Sequence, residues 1–453
     1  MRRTTQVTVA YLVGCLSMLG AGTVYLFSLY GPAFNAVLHF SSSQTNVVAS
    51  AGDYGLYLSG PVCGALVDRL GPRPPAFLGG GLLLVGYSLL AHLFNHVPAD
   101  TDDASPHTVA LAAFAFALVG MGSQAAYMAA MSATARNFAR HRGLALGTAI
   151  GLFGLSAFFF SQMHRLPVLH EEARFLAFLA AATSGAHFIA ATGLRVVPPA
   201  SPEVIDVPSE AARLIGPVDL VTPVAPVPRA LNPASQRTFF RDPQALYLFL
   251  GLFGVTGAGL MFINNIGTVI DTLAATDAAP AATLQLRTHI VSLLSLSNFG
   301  SRVLSGQTSD VLLRRHGLPR IALLLTAAVV MLFSQLGVTH LTSTTGLYLL
   351  TVLIGSAYGT VFALGPTVTS EYWGNAHLGY HWGWLVLAPA IGGHTCNTLF
   401  GLVYDAHAPA GTPVCTGAHC FQNSFRITAG LCLFSAIALA RLLVLRFRVL
   451  KAQ

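Results

Sequence analysis

Gly64-Ala-Leu-Val-Asp68-Arg69-Leu-Gly71-Pro-Arg73 decides how this chain is read. The stretch joins two long apolar blocks and fits G-x-x-x-D-R-x-G-x-R. Shifted by 242 residues, it falls on Gly306-Gln-Thr-Ser-Asp310-Val-Leu-Leu-Arg314-Arg315. The Gly, the Asp and a trailing Arg coincide. The second copy lacks the Arg after the Asp and the second Gly. Both copies leave an apolar block at the same point of their half, so the chain reads as two halves of one plan.

The sequence around these copies is nearly free of charge. Residues 4–52, 74–99, 104–135, 243–270, 321–370 and 372–404 contain no Asp, Glu, Lys or Arg. Of the 453 residues 54% are apolar and 9% charged, against roughly 25% charged in an ordinary soluble domain. Twenty-four basic and 17 acidic residues cannot cover a globule of this size, which excludes soluble enzymes, secreted domains and disordered proteins. A membrane helix needs about 20 mainly apolar residues. On that measure twelve spans lie near 7–29, 44–66, 76–96, 108–132, 143–163, 174–195, 245–270, 283–306, 318–339, 346–369, 379–403 and 424–446. Gly31-Pro32 is expected to end the first, and the polar 339–346 stretch to separate the ninth from the tenth. The blocks are continuous and rich in Leu, Ala and Gly, not alternating as in a membrane β-barrel. The expected fold is therefore an all-α integral membrane protein.

Arg and Lys set the orientation. With the N-terminus in the cytosol, twenty basic residues fall on the cytosolic side and four (Arg165, Arg174, Arg287, Arg426) on the other. Both termini are then cytosolic, with Asp100, Asp102 and Asp103 outside. The net charge of +7 is a topology signal. The Arg residues are dispersed over short loops, so nucleic acid is not an expected partner. The first block is too long for a signal-peptide core and reads as a permanent helix. Residues 196–241 hold nine prolines and read as a flexible cytosolic loop between six-helix bundles at 1–195 and 242–453.

The Gly64–Arg73 segment resembles the signature loop of the major facilitator superfamily, which lies between helices 2 and 3. The resemblance covers the whole chain: twelve spans, a six-plus-six split, a long central loop and a weaker second copy. It implies two helical bundles that rock about a midplane cavity. It also implies that Gly64, Asp68, Arg69, Gly71 and Arg73, with Gly306, Asp310 and Arg315, form a cytosolic latch that favours the outward-open state. Tyr54-Gly-Leu-Tyr57-Leu-Ser-Gly60-Pro61, Gly143-Leu-Ala-Leu-Gly147, Ile263-Asn264-Asn265-Ile-Gly267 and Asn298-Phe-Gly300-Ser-Arg302 are similar to the nodulin-like branch, which includes fungal monocarboxylate-permease homologues. Proton-coupled monocarboxylate transporters carry Asp-x-x-x-Arg on helix 8 and a Lys on helix 1. Here the acid position is Asn298, and the single Lys is Lys451.

An ionisable side chain inside the bilayer costs about 2.5–3.5 kcal/mol on insertion scales and marks a site by default. Asp53 is the deepest acid, ten residues into the second span, and is the proton candidate. Arg302 is the deepest base and shares a helix face with Asn298. Its planar guanidinium suits a carboxylate, which makes it the substrate-anion candidate. Asn264 and Asn265 in the seventh span and His394 in the eleventh complete the candidate set. His187 reads as packing. The Tyr372-Trp373 and Tyr380-His381-Trp382-Gly383-Trp384 cluster is expected to form an interfacial aromatic belt. Cys415 and Cys420 share an outer loop and are expected to form a disulfide. With His419 they leave a tetrahedral metal site one ligand short, so no metal is expected.

No P-loop lysine pattern occurs, so ATP is not an expected partner, and no cofactor is implied. No catalytic Ser or Cys motif with a placed base occurs, nor H-E-x-x-H, so an enzyme is not expected. The sequence points to a secondary transporter in the lipid bilayer of the plasma or a vacuole-type membrane. It would move a small organic anion such as a monocarboxylate by alternating access, with a proton as coupling ion. The alternatives are a facilitative uniporter of a neutral solute and a non-transporting sensor of the same fold.

Overall fold

The computed structural model describes residues 3–95, 105–139, 141–169, 171–198, 239–274, 280–341, 343–407, 415 and 417–452. The 196–241 loop apart from its ends, and Asp100, Asp102 and Asp103, lie outside these. Among the described residues every regular element is a helix. The first half runs α1 (Arg3–Ala21), a 3-10 segment (Gly22–Leu26), α2 (Phe27–Leu38), α3 (Ser42–Leu58), α4 (Gly60–Leu70), α5 (Arg73–Asn95), α6 (Pro106–Asn137), α7 (Arg142–His164) and α8 (Glu172–Gly193). The second runs α9 (Pro243–Ala274), α10 (Pro280–His316), α11 (Ile321–Thr339), α12 (Gly346–Trp373), α13 (Leu378–Leu385), α14 (Leu387–His407) and α15 (His419–Ala452).

Ten of these helices, some joined end to end, are long and apolar enough to cross a membrane. The other two expected spans are present as helix but fail for local reasons. The second is broken at Ser59, because Pro61 in the first turn of α4 has no N–H and its ring crowds the preceding turn. The eighth lies in α10, which carries Arg287, His289, Asn298 and Arg302 along its length.

The first helical run does not end at Gly31-Pro32 as expected. Helix α2 passes through that pair to Leu38. The break comes at His39, in the left-handed region at φ 55°, where its N–H returns to Phe34 O. Ser41 then starts α3 with a capping box. Its hydroxyl accepts from Gln44 N, and the Gln44 side chain accepts from Ser41 N. Ser41-x-x-Gln44 was the readable signal for this break.

The chain divides into two compact units. Among the described residues the first contains α1 to α8 and also Trp373–Trp384. The second contains α9 to Tyr372 of α12 and resumes at Leu385. Within the first, α5 packs on α6 and α8, α3 on α6, and α1 on α6, α7 and α8. Within the second, α9 packs on α14 and α15, and α11 on α15. Helices come this close through small residues. A Cβ on Gly120 of α6 would stand 2.0 Å from the Gly52 carbonyl oxygen of α3, so only glycine fits there.

Candidate functional site

Helix α4 ends where the signature stretch requires it. Gly71 takes φ 79°, and its N–H closes on Val67 O. That positive φ, with an extended ψ of −178°, suits a residue without Cβ. It holds Asp68 in the last turn, buried inside the first unit. The carboxylate does not pair with Arg69 or Arg73, as its sequence neighbours suggested. Arg69 is exposed, and Arg73 Nε donates to the Leu194 carbonyl at 2.9 Å. The ionic partner is Arg136 in the last turn of α6, whose Nη2 lies 2.9 Å from Asp68 Oδ1.

Asp68 also accepts from the backbone N–H of Gly379 at 3.2 Å and of Tyr380 at 2.7 Å. These are first-turn donors of α13, which no intrahelical carbonyl satisfies. A carboxylate there also faces the positive end of the helix dipole. Arg136 donates to the Asn375 and Ala376 carbonyls at 3.2 Å each, just ahead of α13. One ion pair thus holds both the approach to α13 and its first turn. Burial, and then the Arg136 charge, hold the His377 imidazole below its ordinary range.

The backbones of α4 and α13 meet through Gly60 and Gly64 on one side and Gly379 and Gly383 on the other. A Cβ on Gly64 would stand 1.9 Å from Gly379 O, and one on Gly383 would stand 2.4 Å from Gly60 O. This approach sinks His381 and Trp382 to 3% and 2% exposure. The expected aromatic belt is therefore not what these two residues form. The His381 ring instead stands 5.7–6.2 Å from those of Trp373, His377 and Tyr380.

The second copy differs in a way its sequence anticipates. Helix α10 continues past the position of Gly71 to His316, and Gly317 (φ 64°) ends it. Asp310, buried in the second unit, pairs with Arg320 at 2.7 Å. Arg320 also binds Glu371, in the last turn of α12, and the Ser309 hydroxyl. Arg315, the expected counterpart of Arg73, is exposed. Each half therefore ties the Asp of its signature copy to a buried Arg, Arg136 in one and Arg320 in the other. Neither Arg was singled out in the sequence for this role, because both lie outside the repeat.

Arg302 is 4% exposed within the second unit. Its Nε donates to Asn298 Oδ1 at 2.9 Å, and its guanidinium carbon stands 5.5 Å from the centre of the Phe362 ring. The side chain is thus buried, and Asn298 and the Phe362 ring are among the groups that hold it. Asn265 donates to Met261 O at 2.8 Å and to Asn397 Oδ1 at 2.9 Å, linking α9 to α14. Asn397 is a partner that sequence reasoning missed. Asn264 and His394 are exposed. In the first unit Asp53 is exposed on α3, one turn before Tyr57, whose hydroxyl lies 3.1 Å from that of Tyr25. His187 is buried, with Nδ1 at 2.5 Å from Thr183 O. Cys415 and Cys420 are joined in a disulfide.

A family model described as Major Facilitator Superfamily matches residues 10–393. Among curated proteins the chain is similar to "Probable transporter mch1" of Aspergillus fumigatus, 28% identical, covering 87% of this chain and 78% of that protein. It is similar also to "Probable transporter MCH1" of Candida albicans, 27% identical over 95% of this chain and 90% of that one. Among solved structures it resembles a bacterial homologue of the iron transporter ferroportin in an outward-facing state (TM-score 0.66, 12% identity, 98% and 99% of the two chains). It also resembles the proton:xylose symporter XylE (TM-score 0.60, 15%, 96% and 95%) and the human organic anion transporter MFSD10 (TM-score 0.54, 18%, 97% and 100%). At these identities the structures share the fold. The family and the curated relatives are transporters and not enzymes. The chain belongs to the major facilitator superfamily and is a multi-pass integral membrane transporter.

Proposed function

We propose that the chain moves a small organic anion, such as a monocarboxylate, by alternating access, with a proton as the coupling ion. The observation that carries this reading is the burial of Arg302 beside Asn298 and Phe362. A guanidinium stays charged in any surroundings and binds carboxylate as a two-pronged fork. Asn298 orients it through its side-chain oxygen, and Phe362 offers an apolar wall for a short carbon chain. The six-helix bundles at 1–195 and 242–453 carry the alternation, and Asp53 carries the proton. Release of α13 from Asp68 and Arg136 is the step that breaks the latch in each cycle. Both termini face the cytosol, in a plasma or vacuole-type membrane.

Counterflow in proteoliposomes tests this. Preloaded short-chain monocarboxylates should drive uptake of labelled substrate. Arg302→Lys, which keeps the charge and loses the fork, should lower kcat/KM about tenfold, or about 1.4 kcal/mol. Exchange of sugars with no exchange of monocarboxylates, or an unchanged Arg302→Lys variant, refutes the anion assignment. Asp53→Asn should remove the dependence of uptake on a pH gradient while leaving counterflow intact. Retained gradient dependence would take the proton role from Asp53.

A further inference from the structure

Helix α12 carries glycines at 355 and 359, one turn apart and both buried. Glycine is a poor helix former, so two on one face call for a reason. Both face α10, but the two positions differ. A Cβ on Gly355 would meet Leu294 O and Ser297 Cβ at 3.1 Å each. Those are tight packing contacts that a shift of a few tenths of an ångström relieves. A Cβ on Gly359 would stand 2.1 Å from Ser301 Oγ, 2.4 Å from Asn298 O and 2.9 Å from Asn298 Oδ1. Asn298 Oδ1 is the atom that accepts from Arg302 Nε at 2.9 Å.

We infer that Gly359 is a positioning residue of the anion site: it sets the Arg302 guanidinium by leaving Asn298 room to hold it. The inference rests on the reading of Arg302 as the group that binds the substrate anion. The space is closely bounded. Ser301 Oγ donates to Asn298 O at 3.0 Å, so the two atoms nearest the absent Cβ are bonded to each other, and moving either disturbs the other. A methyl group at 359 would press on that bond and on Oδ1 together.

The same turn of α12 also bears on the guanidinium face. Phe362, three residues after Gly359, places its ring centre 5.5 Å from the guanidinium carbon. The Tyr358 ring stands 4.8 Å from the Phe362 ring. Tyr358 in turn lies against α9, where a Cβ on Gly259 would come within 2.5 Å of Tyr358 Cδ2. Residues 358–362 thus meet Arg302 by its face and, through Asn298, by its Nε edge. Such placing matters because a guanidinium grips a carboxylate by two parallel in-plane bonds, which a tilt breaks. An ammonium, a point charge on a flexible stem, depends far less on placing.

The test is counterflow of labelled propionate in proteoliposomes holding the full-length protein. Gly359→Ala should raise KM about fivefold and leave kcat within about twofold, the effect of losing one orienting hydrogen bond. Gly355→Ala loads the same crossing without touching Asn298 and should leave KM unchanged. In an Arg302→Lys background, where the fork is already gone, Gly359→Ala should raise KM no further, because residues that act through one another are not additive. Asn298→Ala keeps a Cβ, leaves the crossing alone and should raise KM as Gly359→Ala does; it decides the matter if Gly359→Ala does not fold. The assignment falls if Gly359→Ala or Asn298→Ala leaves KM unchanged, if Gly355→Ala raises it equally, or if the rise persists in the Arg302→Lys background. No propionate exchange by the parent, or an unchanged Arg302→Lys variant, would instead overturn the anion reading and this assignment with it.

Discussion

Taking the charge from Asp68 leaves Arg136 buried without its counter-ion, and breaking a buried pair in this way costs on the order of 3–5 kcal/mol. Asp68→Asn should therefore free the first turn of α13. Hydrogen–deuterium exchange should show faster exchange across residues 376–385 and little change in α5 or α8. Equal exchange in variant and parent would mean that the carboxylate holds nothing. Arg136→Lys should act the same way but more weakly, because an ammonium cannot reach the 375 and 376 carbonyls and the carboxylate with one planar group. How much of this was readable follows from distance along the chain. Asp68 stands in a motif, and Asn298 and Arg302 are one helical turn apart, so both were visible. Asp68 and Arg136 are 68 residues apart, and Asn265 and Asn397 are 132 apart. No local pattern encodes such pairs. Adjacent Arg69 and Arg73 were the plausible partners until the fold turned one out and gave the other to Leu194.

Between elements, the crossing of α4 and α13 depends on backbone touching backbone. A methyl at Gly64 meets a carbonyl oxygen at 1.9 Å, and no side chain can move aside to relieve it. Gly64→Ala should push α13 away and give the same exchange signature as Asp68→Asn without altering any charge. If it instead leaves exchange across α13 unchanged, the crossing is looser than its geometry implies. Elsewhere an element's end was harder to read than its existence. Pro32 misled because a proline can continue a helix when its neighbours accommodate the lost bond. The true break at His39 was signalled by a polar cap, whose effect shows in the helix that follows it. Ser41→Ala should cost about 1 kcal/mol and lower Tm slightly. The aromatic cluster misled for the opposite reason. Tyr, Trp and His suit a membrane interface, and nothing in those residues themselves showed that Gly379 and Gly383 would draw them inward.

For the whole molecule, charge scarcity was the most reliable guide. Ten of the twelve spans it marked are helices long and apolar enough to cross a membrane. An even number of crossings places both termini on one side. Tags at the N- and C-terminus should both be protected from added protease in sealed right-side-out cells or vesicles and both become accessible on permeabilisation. Opposite protection would mean an odd number of crossings. The fold class was thus legible from composition and the repeat. The membership of Trp373–Trp384 was not, because it follows from contacts far along the chain.

That membership has a consequence for how the protein is made. Asp68 leaves the ribosome early, yet the amides it holds belong to residues 311 and 312 positions later. Until they arrive, a buried-type ion pair and a glycine-lined helix face stand without their cover. The first unit cannot be finished by the first half of the chain. A fragment ending in the 199–238 region should reach the membrane and remain incomplete. Supplying the second half as a separate chain should complete it, because the missing piece is a short helix that the second half carries.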